Sequence, residues 1–225
     1  MNKMAALFCL AFAVAAWPVT AAPLDGEKAA RALQAALSQS ADKAIDELGR
    51  PDGFFANPDV HIPLPGKLHK ARKTLNRLGL RKQTAALDLA INRAAEAAVP
   101  QARHLFVDAI SRMSLADALA ILKGPDDAAT QYFRSTMSAS LTEAFLPIVG
   151  KATADIDLAK TYDTVAAKAS KFGLVEPEDA SLDAYVTRRA LDGLFLMMAR
   201  EEAAIRKDPL GQANALLRTV FGQLK

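Results

Sequence analysis

DAYVTRRALDGLFLMMAREEAAIR, residues Asp183 to Arg206, is apolar on every side through its middle. At about 100° per residue, Leu191, Leu194, Phe195, Met198 and Ile205 share one stripe of a helix, while Val186, Ala190, Gly193 and Met197 cover the back. A helix apolar all round is a buried one, so this segment is expected at the centre of an all-α bundle. Glu202 breaks the pattern. It falls inside the front stripe with Arg206 one turn on, and a carboxylate in that place needs donors.

Working outward, the first residues have the features of an export leader. Lys3 gives the positive start, Met4 to Ala16 a short apolar run, and Val19-Thr20-Ala21 a small-residue cleavage site. The expected division is a signal peptide over 1–21 and a single all-helical domain over 22–225, placed in the periplasm. Cutting after Ala22 instead would leave Pro23 behind the scissile bond, and an uncleaved anchor would need an apolar run of roughly 20 residues. Cys9, the single cysteine, lies inside the leader, so the mature chain must hold together by packing alone. No later apolar run approaches the length of a membrane span. The net charge of +3 at pH 7 says little; its distribution says more.

Ala29, Leu33, Ala36 or Leu37, Ala44 and Leu48 recur at helical spacing over Asp25 to Leu48, and Gly49-Arg50-Pro51 ends that helix. GRPDGFFANPDVHIPLPG, residues 49–66, then holds four prolines and three glycines, and reads as one long ordered loop. Phe54, Phe55, Val60, Ile62 and Leu64 are too apolar to be left in water. Either the loop straps across the bundle and pins its core, or it forms a lid, with Phe54, Phe55, Ile62 and Leu64 over a pocket.

A basic helix is expected over Lys67 to Leu78, with Leu68, Ala71, Leu75 and Leu78 as its apolar side. Residues 67–82 carry seven positive charges and no acid. Lys67, Lys70, Lys73, Arg77 and Arg81 suit an anionic surface; the alternative is a solvated face that keeps the protein soluble.

From Lys82 to Met113 the helical period runs through Leu87, Ile91, Ala94, Ala98, Leu105, Val107 and Ile110, with Pro100 kinking or splitting it. Asp88, Asn92 and Glu96 form a polar row at spacings of four, with Arg93 just beyond. They either lock two helices in register or bind a ligand. Ser114 with Asp117 caps a short helix closed by Lys123-Gly124-Pro125. Asp126 is expected to cap a longer helix through Ala129, Tyr132, Phe133, Met137, Leu141, Phe145 and Val149, with Pro147 bending its last turn. Further helices are expected over about 157–172 and from Asp208-Pro209 to Phe221-Gly222, and Ser181 should cap the central one.

His61, His69 and His104 have no metal-ligand spacing, no serine sits in a nucleophile elbow, and no phosphate-binding glycine loop occurs. No catalytic residue, metal or cofactor is expected. Glu96 and Glu202 are expected instead to meet inside the bundle, accepting from Arg93 and Arg206, with Asn92 closing the network. Those five residues form a polar core or, failing that, a ligand site.

The segments GFFANPDVHIPLP, INRAAEAAVPQA, FVDAI, DALAILKGPDDAATQYF, YVTRRALDGLF and EEAAIRKDP together resemble the DUF4197 family of exported bacterial proteins of unassigned function. The resemblance covers roughly Leu33 to Gly222 and implies an all-helical envelope protein; it lends no catalytic role to any residue. The recurring polar positions it points to are Asn92, Arg93, Glu96, Asp108, Asp117, Thr130, Tyr132, Asp192, Glu202 and Arg206. The expected function is a non-enzymatic periplasmic binding or interaction module for an apolar or anionic envelope component. A scaffolding protein without a small ligand is the alternative. The expected partner is a lipid, another anionic component or a protein; export argues against nucleic acid.

Overall fold

A computed structural model describes residues 26–65, 69, 72–73, 76–154, 160, 162 and 181–208. The expected signal peptide, Lys67, Lys70, the helix over 157–172 and the last helix lie outside the described residues. The described chain is all helical, with α1 over Gly26–Gly49, α2 over Arg81–Ala98, α3 over Ala102–Ser111, α4 over Leu115–Lys123, α5 over Ala128–Thr153 and α6 over Leu182–Lys207. A 3₁₀ turn, Val99–Gln101, joins α2 to α3.

α6 is the central element. It packs on α5, α1 and α2, and the residues of both its expected faces are buried. Ser181 caps it, its side chain accepting from the Ala184 N–H at 3.2 Å. α5 meets the rest of the bundle with a strict period of four: Ala129, Phe133, Met137, Leu141, Phe145, Val149 and Thr153 are all buried. Residues four apart form an inclined ridge, the row of side chains that fits the groove of a neighbouring helix. The helix runs on past Pro147 to Thr153.

Pro100 splits the second long helical pattern into two helices. α3 buries Ala102, Phe106 and Ile110, residues four apart, while Val107, expected inside, is 56% exposed. On an α-helix Val107 stands roughly 160° from Leu105, which packs against the core, so the two do not share a buried face.

Residues 50–65 form a strap rather than a lid. Phe54, Ile62 and Leu64 are at most 1% exposed, so three of the four residues considered for a lid are core. The strap leaves α1 through a tight turn in which Gly53 N–H donates to Arg50 O at 3.0 Å. Pro51 and Asp52 occupy its middle, and Asp52 has φ +68°, the arrangement of a type II turn. Gly53 is required next, because a Cβ there would lie 2.5 Å from the carbonyl oxygens of both Glu47 and Leu48 at the end of α1. The strap then crosses α6 at Gly193, where a Cβ would stand 2.8 Å from Phe54 Cε1 and 3.2 Å from Val60 Cβ. Farther on, the Tyr185 hydroxyl donates to Pro63 O at 3.0 Å.

The crossing gives a direct test. Gly193→Ala gains about 1 kcal/mol of helix propensity, but the added methyl must push a fully buried phenyl ring, and overpacking of this kind costs about 1–3 kcal/mol. The variant should be net destabilised, by about 1 kcal/mol in urea unfolding. Adding Phe54→Leu should cost less in the Gly193→Ala protein than in the wild type, because the smaller side chain relieves the clash.

Candidate functional site

Asn92, Glu96 and Glu202 are buried, Arg206 nearly so and Arg93 about 40% exposed, and they form two separate joints and not the single network expected. Glu96 and Glu202 are 4% and 6% exposed. The hydrogen bonds explain the division. Each carboxylate is claimed by backbone N–H groups of a segment distant in sequence, with the arginine of its own helix as the second donor.

At the first joint α2 holds the strap. Glu96 Oε1 accepts from the Phe54 and Phe55 N–H groups at 3.0 and 3.1 Å. Its Oε2 accepts from Arg93 Nη1 at 2.6 Å, and Arg93 Nη2 reaches Asp52 Oδ1 at 2.7 Å. The same guanidinium lies 5.8 Å from the centre of the Phe55 ring. One turn earlier, Asn92 binds both backbone groups of Ile62: Oδ1 accepts its N–H at 2.8 Å and Nδ2 donates to its carbonyl at 3.0 Å. Nδ2 also donates to Asp88 O at 2.8 Å. Asp88 completes the row, with His61 Nε2 at 3.3 Å and Arg72 Nη2 at 3.5 Å, while His61 Nδ1 lies 2.9 Å from Phe55 O. The row of polar residues four apart therefore grips a loop and does not lock two helices. The strap's own backbone hydrogen bonds are local turns, His61 N–H to Asn57 O at 2.9 Å among them, and the N–H groups of Phe54, Phe55 and Ile62 find their acceptors on α2 instead.

At the second joint α6 holds the turn between α4 and α5. Asp127, not Asp126, occupies the N-cap of α5, and its side chain makes no cap hydrogen bond. It accepts instead from Gln131 Nε2 at 2.8 Å. Glu202 supplies the cap from another helix, accepting from Ala129 N at 2.9 Å, Thr130 N at 3.0 Å and Thr130 Oγ1 at 3.0 Å. Arg206 donates to Glu202 Oε1 through Nη2 at 3.0 Å and to the Ile121 and Leu122 carbonyls at 2.9 and 3.4 Å. Those carbonyls belong to the last turn of α4. One acid and one base on α6 thus satisfy the orphan donors that begin α5 and the orphan acceptors that end α4, each with the sign its helix terminus favours.

The remaining polar positions lie outside both joints. Asp117 and Ser114 form a capping box, Arg112 Nη2 donates to Asp108 at 3.4 Å, and Arg134 Nη1 donates to Asp192 at 3.1 Å. Tyr132 packs edge-on against Phe133, and burial, helped by the Asp117 charge, pushes its phenol up. Among the contacts that escaped the sequence reading are the Tyr185 to Pro63 bond and an Arg200 to Asp59 pair at 2.5 Å that holds the Asp59 carboxyl below its usual range. Both partners in each case are polar groups too far apart in sequence for any spacing to reveal. The Asp59 pair borders an open depression of about 590 Å³ between the strap and α6, with Glu47, Arg50, Asp52, Met197 and Arg200 also on its walls.

The basic run is split differently from expectation. Lys73, Arg77 and Arg81 are exposed, as is Lys82, whereas Arg72 turns inward to Asp88. Leu78, expected on the apolar side of that helix, is 70% exposed. It lies in the turn before α2, beside Gly79 at φ +81°, a left-handed backbone that ends the helical phase and turns the side chain outward.

A family model matches residues 23–222, almost the whole chain. The protein belongs to the DUF4197 family. That family is described as proteins of unknown function. Comparison with curated proteins and with solved structures finds no match. Among the described residues no group of three or more His, Cys, Asp or Glu side chains could hold a metal ion, and no helix is long and apolar enough to cross a membrane.

Two measurements check the joints. Glu202→Ala strands three donors and a 10% exposed arginine side chain, and should cost about 3 kcal/mol in urea unfolding. Glu202→Gln should fall between Ala and wild type, since one carbonyl oxygen accepts where two carboxylate oxygens did. In amide hydrogen exchange, Glu96→Ala should speed Phe54 and Phe55 selectively, and Asn92→Ala should speed Ile62, with α6 amides less affected.

Proposed function

We propose that this protein is a non-enzymatic binding module of the cell envelope, exported through its leader to the periplasm, that docks on an anionic component through Lys73, Arg77, Arg81 and Lys82. The observation that carries this is a contrast in how the cations are used. Arg93, Arg103, Arg200 and Arg206 each hold a carboxylate at a joint between segments. The four cations around the turn at 78–80 are exposed and form no ion pair among the described residues. Clustered, unneutralised charge raises the local concentration of anions and speeds their encounter. The buried acids support a non-catalytic reading: Glu96 and Glu202 are fully engaged in holding backbone.

A scaffolding role without a small ligand is favoured by a different observation, the strap itself, whose apolar side chains are spent on filling the core. The two readings part on the basic face. Near an anionic surface each Lys or Arg contributes about 1 kcal/mol, so Lys73→Gln, Arg77→Gln and Arg81→Gln together should weaken binding to a soluble polyanion and to anionic vesicles roughly 100-fold at low salt. The urea midpoint should stay where it is, because all three side chains are in water. Wild-type protein that ignores both probes at low salt sinks the docking proposal and leaves the scaffold.

A further inference from the structure

Resting on that reading, we infer that the anionic component is a lipid bilayer surface and that Leu78 is the side chain that enters it. Leu78 is the most exposed of the large hydrophobic residues described, at 70%. Its position is built. Gly79, at φ +81°, closes the turn with its N–H donating to Asn76 O at 3.3 Å. The Thr84 hydroxyl, at the first turn of α2, lies 3.0 Å from Asn76 Oδ1 and ties the turn to the helix. Nothing lies within 4 Å of where a Gly79 Cβ would be, so this side of the turn faces open space.

Charge surrounds this leucine on both sides in sequence. Lys73 and Arg77 precede it, Arg81 and Lys82 follow, and the first acid after the turn, Asp88, is buried and already paired with Arg72 and His61. Onward along α2 the exposed residues Ala85, Ala86 and Leu89 carry no charge. A soluble polyanion offers partners for the cations and nothing for the leucine. A bilayer surface offers both, anionic head groups for the four cations and, just below them, acyl chains for an apolar tip, the combination that holds amphipathic segments at an interface. The absence of a membrane-crossing helix among the described residues fits a peripheral contact at this turn.

The test uses two probes and two variants of the full protein. The probes are vesicles of phosphatidylglycerol mixed with phosphatidylethanolamine, and soluble polyphosphate; the variants are Leu78→Ser and Arg77→Gln with Arg81→Gln. Removing a leucine from an apolar environment should weaken vesicle binding about tenfold to a hundredfold while leaving polyphosphate binding unchanged. The charge variant should weaken both. Equal vesicle affinity for Leu78→Ser and wild type overturns the inference, as does binding to polyphosphate without binding to vesicles; in either case anion docking itself survives. Failure of the wild type on both probes removes the docking reading and this inference with it. An unchanged urea midpoint for Leu78→Ser, expected for a side chain largely in water, confirms that the affinity change is not unfolding.

Discussion

A buried carboxylate accepting two successive backbone N–H groups from a distant segment is the interaction on which this fold depends, and it occurs twice. Glu96 takes Phe54 and Phe55; Glu202 takes Ala129 and Thr130. Both sites do for a stranded backbone what a capping side chain does within a helix, but across tertiary distance. Taking an acid out of water is costly, and several donors on each carboxylate offset it. The arginine three or four residues away on the same helix adds one of those donors and then reaches onward, to Asp52 in one case and to the end of α4 in the other. The bundle is therefore held by more than apolar contact: its irregular segments are fixed at defined points by polar side chains on its most buried helices.

How much of this was legible in the sequence depends on the range of each interaction. The central helix was visible because its periodicity is local, and so was Glu202 as a misfit on its apolar stripe. What Glu202 binds was not visible, since backbone N–H groups are present at every residue but proline and leave no mark on composition. The same limit applied to Asn92 and Glu96, whose spacing put them on one face without saying that the face meets a loop. Val107 was misplaced for a geometric reason: on one helix it stands roughly 160° from Leu105, which packs against the core, so both cannot face inward, and the buried row of α3 is Ala102, Phe106 and Ile110. Asp126 lost the cap of α5 to Glu202, a competitor on a helix far along the chain.

The candidate surface was readable for the opposite reason. Exposed charge needs no partner to be recognised, and the acid-free run from Lys67 to Lys82 stands out in a chain whose other cations are interspersed with acids. Only the structure separates Arg72, which belongs to the strap joint, from the cations left in water, and only it turns Leu78 outward.

The strap has a consequence for the order of assembly. Its anchors come from two helices far apart in the chain: Asn92 and Glu96 on α2, and Gly193, Tyr185 and Arg200 on α6. Its own backbone hydrogen bonds are local turns that end at His61, so its course across the bundle is fixed only once both helices are in place. Though it lies in the first third of the sequence, it is among the last segments to settle, and any loosening of α6 from α2 frees it first. A protease that senses such opening would cut here before it reached a helix, and cleavage near Pro58 would report on the docking of two helices that the strap itself does not form.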